Sequence, residues 1–153
     1  MALGCKYGTH RVIEPVGAMP QTAQRIDNDM SKLYDNEILL DVIALNIDSA
    51  SFTQIEEEAG GDVTKIGNKI LEIVAARGKQ QNPVTGSGGM FIGKVARVGP
   101  ALADRDLKVG DKIASLVSLS LTPLKINKIL KVMPEVDRVL IDEIGRASGR
   151  ERV

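Results

Sequence analysis

The chain has 153 residues, which fits one domain by a prior of roughly 100–200 residues per domain. It carries 20 basic and 20 acidic residues, so charge gives no reason to expect a nucleic acid or an anionic membrane as partner. With 43% hydrophobic and 3% aromatic residues, the core must be mainly aliphatic. No apolar run approaches the roughly 18 residues of a membrane span, and the start, MALGCKYGTHRV, has no signal-peptide core. Cys5 and His10 are the only thiol and the only imidazole, which excludes an internal disulfide and a zinc site built from several Cys and His ligands. A soluble cytoplasmic protein is expected.

In chain order, THRVIEPVG (9–17) reads as a short strand closed by a Pro and Gly turn. Residues Arg25 to Glu37 are polar and turn-rich. ILLDVIALNI, Ile38 to Ile47, is apolar enough for a strand buried on both faces. DSASFTQIEEEAGG follows as a polar segment with small side chains and a carboxylate triplet. Asp62 to Gly78 predicts a helix: Val63, Ile66, Ile70 and Val74 share one face, Asp62 caps the start, and Gly78 suits the left-handed position after the last turn. Gly67 inside it costs about 1 kcal/mol relative to alanine. From Met90 the period becomes two. MFIGKVARV is a strand, DLKVGD a turn, KIASLVSLSL a further strand, and VDRVLI a last short segment. Several short strands with one good helix predict a mainly β fold, and strands and helices do not alternate as in a doubly wound sheet.

The glycines of NPVTGSGGMFIG test a phosphate-loop reading. Gly86 and Gly88 match the start of G-x-G-x-x-G, but Phe91 occupies the third glycine's place. No strand precedes the cluster and no helix follows, so a helix N-terminus for pyrophosphate is missing. The cluster reads instead as a strand entrance needing positive φ and close backbone approach.

Four segments in order (THRVIEPVG, DNEILLDVIALNI, GGMFIGKVARVG and LKVGDKIASLV) resemble the GroES-like catalytic domain of medium-chain dehydrogenases. The E-P-x-G turn matches Glu14 to Gly17, the G-x-V-x-x-V-G strand Gly93 to Gly99, and the G-D-x-V turn Gly110 to Ile113. Longer segments, among them LNIDSASFTQIEEEAGGDV and RGKQQNPVTGSGGM, resemble the 3,5-diaminohexanoate dehydrogenase family within it. The resemblance implies a GroES-like, partly open barrel followed elsewhere by a Rossmann domain that binds NAD or NADP. It also implies a homo-oligomeric parent of anaerobic lysine fermentation, whose substrate is a small diamino acid. The implied reaction oxidises the C3 amine to an iminium, which water opens to 5-amino-3-oxohexanoate and ammonium. Zinc-dependent relatives carry a His and a Glu where this chain has Gly89 and Met90. Asp48 stands at their first cysteine ligand, and Ala50 at the hydroxyl of the usual proton relay. No metal is therefore expected.

Amine oxidation needs a base for the substrate ammonium and for the attacking water. Asp48, at the end of the apolar strand, is the first candidate, with burial expected to raise its pKa and a nearby ammonium to lower it. Ser49 and Ser51 are candidates for the substrate or the nicotinamide ribose, and His10 for proton transfer. Glu56 and Glu57, with Glu58, offer counter-charge to the second ammonium, Tyr7 a substrate contact, and Lys79 or Arg77 a partner for the carboxylate. Ordinary readings compete: a turn cap for Asp48, local turn bonds for the serines, a packed or surface His10, a solvated face for the glutamates, and dipole compensation for Arg77 and Lys79. A zinc-free quinone or enoyl reductase, or a non-catalytic GroES-like binding module, are the rival functions.

The end, EIGRASGRERV, resembles no segment expected of that family. It differs by one base change, at codon 149, from the translation of a common short-read sequencing adapter. The expected division is a GroES-like domain over 1–142 and non-native read-through over 143–153, leaving an inactive fragment.

Overall fold

The computed structural model describes residues 2–115 and 117–142, and the backbone of Arg146–Gly149. Its centre is β3 (Ile38–Ile47), which follows the short antiparallel pair β1 (Val12–Glu14) and β2 (Arg25–Ile26). β3 runs antiparallel to β4 (Gly89–Val98) along its whole length, from Ile38 opposite Val98 to Ile47 opposite Gly89. On its other edge lie β8 (Arg138–Ile141), opposite Ala44–Asn46, and β9 (Arg146–Gly149), opposite Ile38–Asp41. β5 (Lys112–Ala114) flanks β4, β7 (Ile129–Met133) flanks β8, and β6 (Leu124–Lys125) pairs with β9. The sheet is open, and the fold is mainly β as the sequence predicts, with no closed barrel among the described strands.

β3 is apolar at all but Asp41 and Asn46 for two reasons. Leu39 and Ala44 are buried together with the core-facing set, so both faces are largely covered. The register also shifts between Val42 and Ala44. The shift moves the core-facing set from Ile38, Leu40 and Val42 to Leu45 and Ile47, which switches parity in mid-strand.

Helix α2 (Val63–Arg77) forms as predicted. The Asp62 carboxylate accepts from the Thr64 and Lys65 amides, and Gly78 takes φ 70° after the last turn. Ile66, Ile70, Ile73 and Val74 enter the core, but Val63, in the first turn, is about half exposed. Gly67 is buried against Ile129 and Val132, at ordinary contact distance for an added Cβ.

Three elements differ from expectation. DSASFTQIEEE is a helix, α1 (Ser49–Glu58), which buries Ser51, Phe52 and Ile55 on one face. Burying the two large apolar side chains contributes about 1.5–3 kcal/mol each, enough to set a polar segment's conformation. The strand expected over KIASLVSLSL stops at Ala114. Beyond it Ser115 Oγ accepts from the Val117 amide and Ser118 Oγ from the Ser120 amide, and a 3-10 turn follows over Leu119–Leu121. These local hydroxyl bonds compete with a strand ladder. THRVIEPVG is a 3-10 turn over Thr9–Arg11 and only three residues of strand. The expected boundary at residue 143 lies outside the described residues.

Candidate active site

The glycine cluster sits where β3 hands over to α1. β4 begins at Gly89, whose φ is 142°, and a side chain there would collide with the Asn46 backbone carbonyl. Gly88 is packed as tightly, against the Ser120 amide and the Gln80 carbonyl. Their free faces are filled by this chain's own backbone, which fits a strand entrance and not a pyrophosphate cradle. Gly86, at φ 73°, has open space around it and serves the turn alone.

The Gly88 carbonyl accepts the Asp48 amide at 3.0 Å, and the Asp48 carbonyl accepts the Phe52 amide that opens α1. Asp48 is thus the N-cap residue by its backbone, while its carboxylate caps nothing. The side chain is exposed, which corrects the expectation of burial: the strand is buried, but the chain leaves the core at Ile47. Ser49 is exposed on the first turn beside it. Ser51 faces the other way, fully buried, and its hydroxyl has no hydrogen-bond partner among the described residues. Asp48, Ser49 and Ser51 therefore cluster at one end of α1. Glu56 and Glu57 lie at the other end, roughly 12 Å along the axis at 1.5 Å per residue. There three carboxylates face the negative end of the helix dipole, and Glu58 is 3.7 Å from Lys69.

His10 belongs to a different constellation. Its Nδ1 accepts the Cys5 amide at 2.9 Å and its Nε2 lies 3.1 Å from Glu37 Oε2, so the proton sits on Nε2 and both ring nitrogens are engaged. The ring also packs on Tyr34 at 4.3 Å between centroids. Glu37 is the hub, holding Arg11 through two nitrogens and the Tyr34 amide as well. Burial alone would push its carboxyl up, but the hydrogen bonds from Arg11, His10 and Tyr34 outweigh that and hold it at about 2. Arg11 spends its remaining donors on the Asp27, Asp29 and Lys32 carbonyls. Tyr7 is exposed, with the Lys6 ammonium over its ring.

Both residues expected to meet the carboxylate donate to backbone carbonyls of this chain. Arg77 donates to the Gln24 and Gln81 carbonyls. Lys79 is fully buried, donating to the Pro20 carbonyl at 2.6 Å, and burial followed by the nearby Arg77 charge lowers its pKa to about 8. Lys79 opens a buried polar strap, Lys79–Asn82, that sequence reading passed over. Its residues look like an ordinary polar linker, and nothing local marks them as buried. In the strap the Gln80 carboxamide has no partner for either polar atom among the described residues, whereas Asn82 is fully bonded. Among the described residues no group of three His, Cys, Asp or Glu side chains is placed to hold a metal ion. No helix there is long and apolar enough to cross a membrane.

Comparison with known proteins gives the same family as the motifs. Residues 10–147 match the model for the L-erythro-3,5-diaminohexanoate dehydrogenase N-terminal domain. A protein of that dehydrogenase name from Fusobacterium nucleatum is 69% identical over 142 residues, covering 92% of this chain and 41% of the relative. Another of the same name from Acetoanaerobium sticklandii is 67% identical over 139 residues, 90% of this chain and 40% of the relative. The chain thus spans about two-fifths of the length of the curated relatives it matches. With the family model covering the chain from His10 through β8 into β9, the chain belongs to the L-erythro-3,5-diaminohexanoate dehydrogenase N-terminal domain family.

Proposed function

We propose that this chain is the N-terminal catalytic part of an NAD(P)-dependent amine dehydrogenase that deaminates 3,5-diaminohexanoate to 5-amino-3-oxohexanoate in lysine fermentation. The observation that carries the reading is the family match together with an exposed carboxylate, Asp48, fixed by its own backbone at the junction of β3, α1 and the glycine loop.

Asp48 takes a proton from the C3 ammonium, freeing the nitrogen lone pair to form C=N as hydride leaves C3. A bound nicotinamide coenzyme supplies the hydride acceptor. Asp48 then returns its proton to solvent and, ionised again, takes one from the water that adds to the iminium carbon. Asp48 gives that proton to the nitrogen of the adduct, which leaves as ammonia as the hydroxyl O–H proton is released and the ketone forms; the ammonia takes up that proton as ammonium. Ser49 offers its hydroxyl to the substrate or the ribose on the open side of α1, and the unspent Ser51 hydroxyl lies on the inner side of the same turn. Glu56 and Glu57 would supply counter-charge to the distal ammonium. The tightly packed Gly88 and Gly89 leave no pyrophosphate seat, so the coenzyme is held mainly by a Rossmann domain in the rest of the parent.

Cytoplasmic location, a homo-oligomeric parent, proton transfer by His10 and substrate contact by Tyr7 belong to the same proposal. So does the division at residue 142, with 143–153 as adapter read-through. A native genomic frame running through codon 143 into this peptide would overturn that division.

The test is a chimaera in which this chain replaces the aligned segment of the Fusobacterium relative. Formation of reduced coenzyme and ammonium from 3,5-diaminohexanoate is the expected result. Turnover of a quinone or enoyl substrate in place of the diamino acid would overturn the reading in favour of the reductase alternative.

A further inference from the structure

We propose that Asn82 is the positioning residue for the Asp48 carboxylate, an inference that rests on the reading of Asp48 as the base. Asn82 is fully buried, and each of its donor and acceptor groups is used. Its amide donates to the Ser87 carbonyl at 2.9 Å, and its carbonyl accepts from the Gly86 amide at 2.8 Å. Side-chain Oδ1 accepts the Val84 and Thr85 amides at 2.7 and 3.2 Å. These four bonds wind residues 82–87 into the turn that delivers Gly88. The remaining donor group points elsewhere: Nδ2 donates to the Ser51 carbonyl at 3.3 Å and to Gln54 Oε1 at 2.7 Å, both on α1.

Asp48 is consequently mounted at two points on one loop. Its own amide is held by the Gly88 carbonyl, and the helix it opens is held at its third and sixth residues by Asn82. Cutting the second point lets α1 shift against the glycine turn, and the carboxylate shifts with its helix. A misplacement of about 1 Å is enough to cost on the order of a hundredfold in rate. A carboxamide is required here, because the site asks for two acceptor bonds and two donor bonds from one short side chain. The isosteric carboxylate keeps the acceptor half alone.

Asn82→Asp therefore preserves the turn and severs the link to α1, which separates positioning from simple loop folding. On the chain itself, exchange of the Asp48 amide should speed by at least about tenfold, with the Leu45 and Phe91 amides of the β3–β4 ladder unchanged. In the chimaera, kcat should fall by at least about tenfold with KM within about threefold, and the same substitution should cost nothing further in an Asp48→Asn background. Unchanged exchange at Asp48 overturns the role whatever the kinetics show. Losses that multiply in the double variant overturn it while leaving the base reading intact. Full kcat in Asp48→Asn removes the base reading and this role together. Should Asn82→Asp not fold, Gln54→Ala deletes only the half-buried acceptor and carries the same comparisons, with an expected kcat loss of about threefold.

Discussion

Arg11 and Glu37 form a two-point pair out of water, Nη2 to Oε1 at 2.7 Å and Nε to Oε2 at 2.9 Å. The pair joins the turn before β1 to the residue just before β3, and Arg11 also gathers the carbonyls of the intervening loop. Removing one partner strands the other charge in the interior. Arg11→Met is expected to destabilise by about 3–5 kcal/mol, read from urea unfolding at neutral pH. A loss below about 1 kcal/mol would show that the pair is dispensable.

The same carboxylate sets an acid limit. Glu37 titrates at about 2 in the folded chain against an ordinary 4.5. A depressed folded-state value gives stability that is complete above about 4.5 and is lost as pH falls toward about 2. Glu37→Gln should abolish that component, so the stability difference from the parent should shrink across this window. A difference that stays constant from pH 5 to pH 2.5 would refute the assignment.

Lys79 gives a dependence of the same sign in an alkaline window. Its ammonium is buried against the Pro20 and Gln21 carbonyls, and its pKa of about 8 lies below the ordinary 10.5. Between those values the unfolded chain binds the proton that the folded chain has released, so this group's contribution rises with pH from about 8 to about 10.5. Lys79→Met should remove that slope. The parent should therefore gain on the variant between pH 7.5 and pH 10, and parallel unfolding curves at the two pH values would contradict the burial cost.

The glycines separate by surroundings. Gly89→Ala forces a Cβ onto the Asn46 carbonyl at φ 142° and should cost more than about 3 kcal/mol or prevent folding. Gly86→Ala meets only the left-handed penalty of about 1–2 kcal/mol, since nothing lies within 4 Å. Thermal unfolding of the two variants side by side checks the contrast. Equal losses would mean that the close approach at Gly89 is relieved by backbone movement.

Asp48→Asn in the chimaera should lower kcat by about 10²–10⁴, the range of a lost general base, with little change in thermal midpoint because the side chain is exposed. A kcat within about threefold of the parent would remove Asp48 from the mechanism.

Local chemistry was legible in the sequence. Asp62, the four-residue rhythm of Ile66, Ile70 and Val74, and Gly78 are all contained in the helix they specify, so α2 could be read without its neighbours. The alternation after Met90 and the glycines before it likewise placed β4 and its entrance. Family membership was carried by long matching segments and needed no fold.

Other features depend on partners far along the chain. α1 has only Phe52 and Ile55 as large inward groups, and it becomes a helix because the sheet offers them a core. Glu37 is a hub because Arg11 and His10, 26 and 27 residues away, converge on it. Lys79 is buried because Pro20 and Gln21, 59 and 58 residues distant, close over it. Asp48 is exposed because the chain leaves the core at Ile47, and no local pattern encodes that exit. Periodicity and capping act within one or two turns of chain, so the sequence determined the elements that they build and the family. Burial, charge pairing and the mounting of Asp48 arise between distant segments, and only the tertiary structure decided them.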